Sequence, residues 1–137
     1  MSVSGRQYTL VVVLAAILAG GYFAVRTFLQ PPTKPSVVEG RATADQFLTR
    51  VREGKAGDAW DGSTTEFKSI EGRESFVRKA KAAPILKEEL QFGSVQNVVV
   101  QDTPRSEFLY TSSKSGGTVR VLISHEQGSW KVDRLTF

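Results

Sequence analysis

The chain has 137 residues, 40% of them hydrophobic and 23% charged, a balance typical of a globular domain and not of a collagen-like, disordered or low-complexity chain. It contains no cysteine, which excludes disulfides, thiolate zinc sites, iron–sulfur centres and a cysteine nucleophile. Its one histidine leaves a histidine-based metal site short of ligands, so we expect no metal and no other cofactor.

The net charge of +4 is unevenly distributed along the chain. Residues 1–41 carry four basic side chains and one acidic one, a net of +3, whereas residues 42–137 carry fourteen basic and thirteen acidic ones, a net of +1. A nucleic-acid-binding domain needs a basic face. Because the larger part of the chain is nearly neutral, we do not expect nucleic acid as a partner.

The N-terminal segment has the composition of a membrane-spanning helix. No charge occurs from Tyr8 to Val25, and a helix over residues 8–29 would span about 33 Å, enough for a hydrocarbon core of about 30 Å. Pro31 and Pro32 then end it. We predict a short tail over residues 1–7 and a transmembrane helix over residues 8–29, held in the lipid bilayer by Tyr8, Leu14, Leu18, Tyr22, Phe23 and Arg26.

A cleaved signal peptide is the alternative interpretation of this segment, with Leu10–Leu18 as its apolar region and a cleavage site at Ala19-Gly20-Gly21. An uncleaved anchor is favoured because apolar residues continue well past that site.

The positive-inside rule does not decide the orientation, because Arg6 is opposed by Arg26, Lys34 and Arg41 on the other side of the segment. Short tails with an early basic residue usually insert like uncleaved signals, which favours a single-pass protein with its domain on the extracytoplasmic side. Small residues at every fourth position are candidates for packing against another helix, a spacing that is also common by chance. They are Ala16, Gly20 and Ala24.

After the anchor, three prolines predict an extended linker over residues 30–41, and the domain is predicted to occupy residues 42–137. The first predicted helix spans residues 43–53, where an apolar stripe recurs at helical spacing and Gly54 supplies the stop. Thr43 and Gln46 have the spacing of a capping box. The stripe consists of Ala44, Phe47, Leu48 and Val51.

Two further helices are predicted, over 56–61 and over 71–83, the latter ending before Pro84. The remaining sequence is rich in β-branched and aromatic residues in short runs separated by turn signals. Short connections make neighbouring strands antiparallel, which gives an α+β fold. The predicted strands are Val95–Gln101, Glu107–Ser112, Thr118–Glu126 and Ser129–Phe137.

Side-chain alternation assigns faces to the last two strands. Val119, Val121 and Ile123 share one face, opposite Leu122. In the last strand the apolar residues change face after Val132, which predicts either a β-bulge or a strand buried on both sides.

The order of elements and several short motifs resemble the nuclear transport factor 2-like (cystatin-like) superfamily, in particular its small membrane-anchored members of unknown function. The motifs are Phe47-Leu48, Gly54-Lys55-Ala56-Gly57-Asp58-Ala59-Trp60, Ser63 to Phe67, Phe76, and Gly128-Ser129-Trp130-Lys131-Val132. The resemblance covers about residues 42–137. It implies a cone-like domain of three helices packed on a curved antiparallel sheet of about four strands, a fold that hosts enzymes, ligand binders and assembly domains alike.

The sequence contains no recognisable catalytic motif. His125 lies near a strand end, and Asp102, Asp133 and Tyr110 are conceivable partners for it, but no spacing singles one out. A hydrolase or isomerase that uses His125 with an acidic partner is therefore the third hypothesis, and we predict that the protein is not an enzyme.

The leading hypothesis is a membrane-anchored binding or assembly module, an accessory subunit whose partners are other membrane protein subunits. The second hypothesis is a membrane-tethered binder of a small apolar ligand in the interior of the cone. The side chains expected to line that cavity are Phe47, Val51, Trp60, Phe76, Val121 and Trp130.

Overall fold

A computed structural model describes residues 34–137. The predicted tail and transmembrane segment, with their anchoring and helix-packing residues, lie outside this range. Between residues 34 and 137, no helix combines the length and the hydrophobicity that a membrane crossing requires. The elements are α1 (Val37–Arg52), α2 (Ala56–Asp61), α3 (Thr65–Ile70), α4 (Arg73–Ala82), a 3₁₀ turn (Pro84–Lys87), β1 (Leu90–Val100), β2 (Thr103–Ser112), β3 (Thr118–Glu126) and β4 (Ser129–Thr136).

Helix α1 begins at Val37, six residues before the predicted start, so the end of the predicted linker is helical. Ser36 and Glu39 form the capping box: the Ser36 hydroxyl accepts the Glu39 N–H at 3.2 Å, and the Glu39 carboxylate accepts the Ser36 N–H at 3.1 Å. The pKa of Glu39 lies below its usual value chiefly because the Ser36 hydroxyl also donates to its carboxylate at 2.7 Å, and secondly because the Ser36 N–H does so. The predicted cap at Thr43 is wrong because Thr43 lies within the helix, where its hydroxyl donates to the Glu39 carbonyl at 3.0 Å.

The structure has four α-helices between residues 34 and 137 where the sequence predicted three. Helix α2 has the predicted bounds, and α4 lies within the predicted 71–83. Helix α3 was not predicted: it buries only Phe67, whereas α2, of the same length, buries Ala56 and Ala59. Its N-cap is Thr64, whose hydroxyl accepts the Phe67 N–H at 3.1 Å.

The four strands form one antiparallel sheet in the order β1-β2-β3-β4, which confirms the α+β fold. Two-residue turns with positive φ close two of the hairpins, at Gln101-Asp102 (φ 49° and 60°) and at Gln127-Gly128 (φ 52° and 78°). Strand β1 begins five residues earlier than predicted and carries a bulge at Gly93. The predicted irregularity in the last strand is a bulge at Asp133, between the pairs Leu122–Arg134 and Ile123–Val132.

The core lies between α1 and the sheet face that carries Phe108, Tyr110, Val119, Val121 and Ile123, all at most 2% exposed. Leu122 is buried on the opposite face, as alternation predicted. The rings of Phe47, Phe67 and Phe76 meet in pairs with centroids 5.3–6.0 Å apart and join the helices to one another.

Candidate functional site

A cleft of about 460 Å³ lies between helix α1, the 3₁₀ turn and the first residues of β1. The helix contributes residues spaced by three and four, so one face of α1 forms one wall. The turn and β1 form the other wall. The cleft is lined by Arg41, Asp45, Leu48, Thr49, Arg52, Leu86, Glu88, Glu89, Leu90, Gln91, Phe92 and Tyr110.

The cleft has an apolar floor and a charged rim. Leu48, Leu86 and Tyr110 are buried beneath it, and Leu90 and Phe92 are half-buried. Arg41 and Arg52 place positive charge on the helix wall, whereas Glu88 and Glu89 place negative charge on the turn wall. Because the buried floor residues are at most 7% exposed, the accessible lining of the cleft is mainly polar, and the groove offers chiefly hydrogen-bonding and charged contacts.

Four side chains of the cleft form one connected group. The Tyr110 hydroxyl donates to Asp45 Oδ1 at 2.7 Å, and Arg41 Nε lies 3.5 Å from Asp45 Oδ2. The Arg41 guanidinium also lies 4.9 Å from the centroid of the Phe92 ring, which meets Tyr110 edge to face at 5.8 Å. The group fixes the helix wall against the first two strands.

This arrangement holds Tyr110 in its protonated form. Burial and the hydrogen bond to the Asp45 carboxylate raise the pKa of Tyr110 well above its ordinary value. A tyrosine with a raised pKa is a poor general base near neutral pH but a reliable hydrogen-bond donor. Because that hydroxyl is buried and already donates to Asp45, the group positions the walls of the cleft.

The opposite wall is fixed by Glu88. Its carboxylate accepts hydrogen bonds from the hydroxyls of Ser112 and Ser115, the latter at 2.8 Å. The bond from Ser112 is the main reason that the pKa of Glu88 lies below its usual value, so this carboxylate is charged at neutral pH.

The residues considered for acid–base chemistry lie apart from this cleft, except Tyr110. His125 meets the Trp130 ring edge to face with centroids 4.9 Å apart. Asp102 lies in the turn between β1 and β2, and the Asp133 carboxylate accepts hydrogen bonds from Arg105 and Thr64. Within residues 34–137, no three His, Asp or Glu side chains are grouped closely enough to hold a metal ion.

The six residues predicted to line a ligand cavity lie together, but in the hydrophobic core. Phe47, Val51, Phe76 and Val121 are at most 6% exposed, and Trp60 and Trp130 pack against them half-buried. Phe47 and Trp130 border a space of about 50 Å³, and Phe76 borders another of about 60 Å³. None of the six lines the cleft beside α1.

A second polar group ties α3 to the end of the sheet. Arg105, 13% exposed, donates to Asp133, 3% exposed, and lies 3.8 Å from Glu66. Thr64 donates to the same Asp133 carboxylate at 2.7 Å. Every charge in this group has a partner, which is what burial of charged side chains requires.

We expect acid to remove a stabilising contribution of Glu126. The N–H of Thr65 donates to this carboxylate at 2.8 Å, and this bond, with Lys131, lowers the pKa of Glu126 from its ordinary 4.5. A carboxyl whose pKa falls on folding stabilises the fold above its unfolded pKa, and this contribution is lost as the pH falls through the folded value. Glu126→Gln should lower the free energy of unfolding by about 1 kcal/mol at pH 7 and by progressively less below pH 4.5. Urea unfolding at a series of pH values from 7 to 3 measures this difference.

The control is Glu89→Gln, which changes an exposed glutamate on the cleft rim in the same way. Because this side chain is exposed, its replacement should change the free energy of unfolding little. A Glu126→Gln difference that stays constant from pH 7 to pH 3 would contradict the assignment.

No protein-family model matches this chain, and comparison with curated proteins finds no significant match. The resemblance to the nuclear transport factor 2-like superfamily therefore stays a prediction.

The sequence did not indicate the cleft. Arg41 and Asp45 stand four residues apart, a spacing that favours an ion pair on a helix, but the predicted helix began only at residue 43. A predicted helix that began at Val37 would have included Arg41 and Asp45, and their spacing would then have indicated a charged face on α1. The contact between Asp45 and Tyr110 joins residues 65 positions apart and carries no local signal.

Proposed function

We propose that this protein is a membrane-anchored binding and assembly module that holds a segment of a partner subunit in the cleft between α1 and β1. It acts as an accessory subunit of a larger membrane complex. The observation that carries the proposal is the cleft itself, with a buried apolar floor between two walls of opposite charge.

The charged rim favours a polypeptide segment over a small apolar ligand. Arg52 and Glu89 sit on opposite walls, and a peptide supplies carbonyl and amide groups to both. A small apolar ligand would make no hydrogen bond to these rim charges and would shield them from water, which is unfavourable. The volume of about 460 Å³ accommodates a few side chains.

The pre-formed walls support binding without large rearrangement. The hydrogen bonds of Tyr110 to Asp45 and of Ser115 to Glu88 fix one side chain on each wall. A fixed groove loses less conformational entropy on binding than a flexible one.

The membrane part of the proposal rests on the uncharged segment from Tyr8 to Val25. An anchor confines the domain near the bilayer, on the extracytoplasmic side, where it meets other membrane subunits. Recovery of the full chain from the soluble fraction of cells would contradict this part.

Filling the cleft is expected to release the partner. Thr49 lies half-buried on the helix wall, and Thr49→Trp would place a large ring in the groove. In mild detergent, the tagged full chain should elute with a second polypeptide, and Thr49→Trp should lose most of it. Size-exclusion chromatography with mass measurement checks both.

The matched control is Arg78→Trp, which adds the same side chain on the exposed face of α4. This variant should keep the partner. The proposal fails if the wild type elutes with no second polypeptide, or if Thr49→Trp retains its partner as well as Arg78→Trp does.

A further inference from the structure

The edge of the sheet formed by β1, one of its two edge strands, is unusually unprotected. Strand β1 stands first in the strand order, so its outer edge has no neighbouring strand among residues 34–137. Its 11 residues, Leu90–Val100, include no charged residue and no proline, in a chain of which 23% is charged. Exposed edges normally carry such residues, which discourage pairing with another chain.

The bulge at Gly93 divides the strand. Beyond it, the seven residues from Ser94 to Val100 pair regularly with β2 up to the turn at Gln101-Asp102. A two-residue turn closes on a hydrogen-bonded pair, here Val100 with Thr103. Alternation along the strand then directs the N–H and C=O groups of every second residue away from β2, namely those of Val95, Asn97 and Val99.

We propose that a second copy of this chain pairs with this edge, antiparallel and about a two-fold axis at Asn97. Asn97 is the middle residue of the regular segment, so this axis uses all of Ser94–Val100 in both copies. Asn97 faces Asn97 of the second copy, and Val95 faces Val99. Each of these pairs exchanges two backbone hydrogen bonds and uses the outward groups of both strands.

The side chains favour a second copy as the occupant. In a two-fold interface a residue near the axis meets its own counterpart, so any charge there would face an identical charge. Ser94–Val100 has none. The pairing also places Val95 against Val99, which is 71% exposed in a single copy.

Other registers match less well. Paired residues must face the same side of the sheet, so the axis passes through a residue. An axis at Gln96 places Val95 opposite Asn97. Counted over both copies, it then pairs four of the residues whose backbone groups point outward, whereas the axis at Asn97 pairs six. An axis at Val98 places Asn97 opposite Val99 and runs Val95 into the turn at Gln101.

Two seven-residue strands bury less than the roughly 1,600 Å² of a standard interface, so pairing is expected to be weak for dilute molecules and stronger for copies confined to one membrane. The pairing uses Ser94–Val100, and the cleft uses Leu90–Phe92 on the other side of the bulge. The dimer therefore goes beyond the proposed function, and either can fail without the other.

Single cysteines test the pairing in the full chain, which has no cysteine of its own. In the proposed register the two Cα atoms at position 97 lie about 5.5 Å apart, within disulfide range. Those at 96, and likewise at 98, lie roughly 8 Å apart, beyond it. Under mild oxidation in native membranes, Asn97→Cys should form a disulfide-linked adduct of twice the chain mass.

The controls are Gln96→Cys and Val98→Cys on the same strand and Lys81→Cys on the exposed face of α4. All three should give at least fivefold less adduct. The proposal is overturned if position 97 crosslinks no better than position 81, if 96 or 98 crosslinks best, or if the adduct contains a different polypeptide.

A charge at the axis provides a second, independent measurement. Asn97→Asp places two carboxylates opposite each other and should weaken the dimer about fivefold in sedimentation equilibrium of the detergent-solubilised chain. Thr111→Asp adds the same charge to an exposed position of β2 and should leave dimerisation unchanged. Equal dimerisation of both variants would overturn the proposal.

Discussion

Replacing Arg105 with methionine is expected to lower the free energy of unfolding by about 3 to 5 kcal/mol, because it leaves the buried Asp133 carboxylate without its cationic partner. Asp133 is only 3% exposed, so water does not replace the guanidinium. Thr64 remains as a hydrogen-bond donor, but it carries no charge. Urea unfolding followed by tryptophan fluorescence measures the loss.

The comparison variant is Arg73→Met, which removes an ion pair with Asp61 whose side chains are both about half exposed. Its effect should lie within the error of the measurement, since exposed ion pairs contribute little. The double variant Arg105→Met/Asp133→Leu should recover part of the loss, because it removes the unpaired charge. If Arg105→Met is no less stable than Arg73→Met, the Asp133 carboxylate is not buried as described.

The second large effect is expected at Gly40, in the first turns of α1. Alanine normally favours a helix over glycine by about 1 kcal/mol. Here an added Cβ would lie 2.6 Å from Cε2 of Phe108, whose ring is fully buried and cannot move aside. We therefore expect Gly40→Ala to destabilise the domain by about 2 kcal/mol, measured by thermal and urea unfolding.

Gly57→Ala is the control, since it makes the same change in another helix. Its Cβ would meet only the guanidinium of Arg73, at 2.5 Å, the far end of a flexible side chain that can shift. This variant should be neutral or slightly stabilising. A Gly40→Ala protein as stable as Gly57→Ala would show that α1 does not lie against Phe108.

The strand region was the most predictable part of the fold. Turn residues such as Gln127-Gly128 limit where strands can end, and β-branched alternation assigns faces, so β3 has the predicted bounds and Leu122 the predicted face. The change of face in β4 predicted an irregularity, and Asp133 is the bulged residue. These signals are local in sequence, which is why they can be read from it.

The helical region was less predictable for two physical reasons. The start of α1 depends on Ser36 and Glu39, a capping box that follows three prolines and was interpreted as linker. Helix α3 is too short to show a period, and it forms because Thr64 and Glu126 bind its first N–H groups. Glu126 lies 61 residues from Thr65, so no local sequence pattern indicates this hydrogen bond.

The cleft was not predictable for the same reason, because its residues are far apart in the sequence. Its walls come from α1, the 3₁₀ turn and β1, and its floor includes Tyr110 from β2. Each residue has an ordinary local role, and only the packing of α1 on the sheet brings them together.

The sheet is a meander in which every strand pairs with its neighbours in the chain. Such hairpins close short loops, whereas the bonds from Thr64 to Asp133 and from Tyr110 to Asp45 span 69 and 65 residues. Docking of the N-terminal helices onto a preassembled meander is thus the entropically costly step, and folding rates should respond more to changes at Gly40 or Asp133 than to changes in the hairpin turns. During synthesis the helical half emerges first, and its apolar side stays uncovered until β2 and β3 supply the core residues that face it.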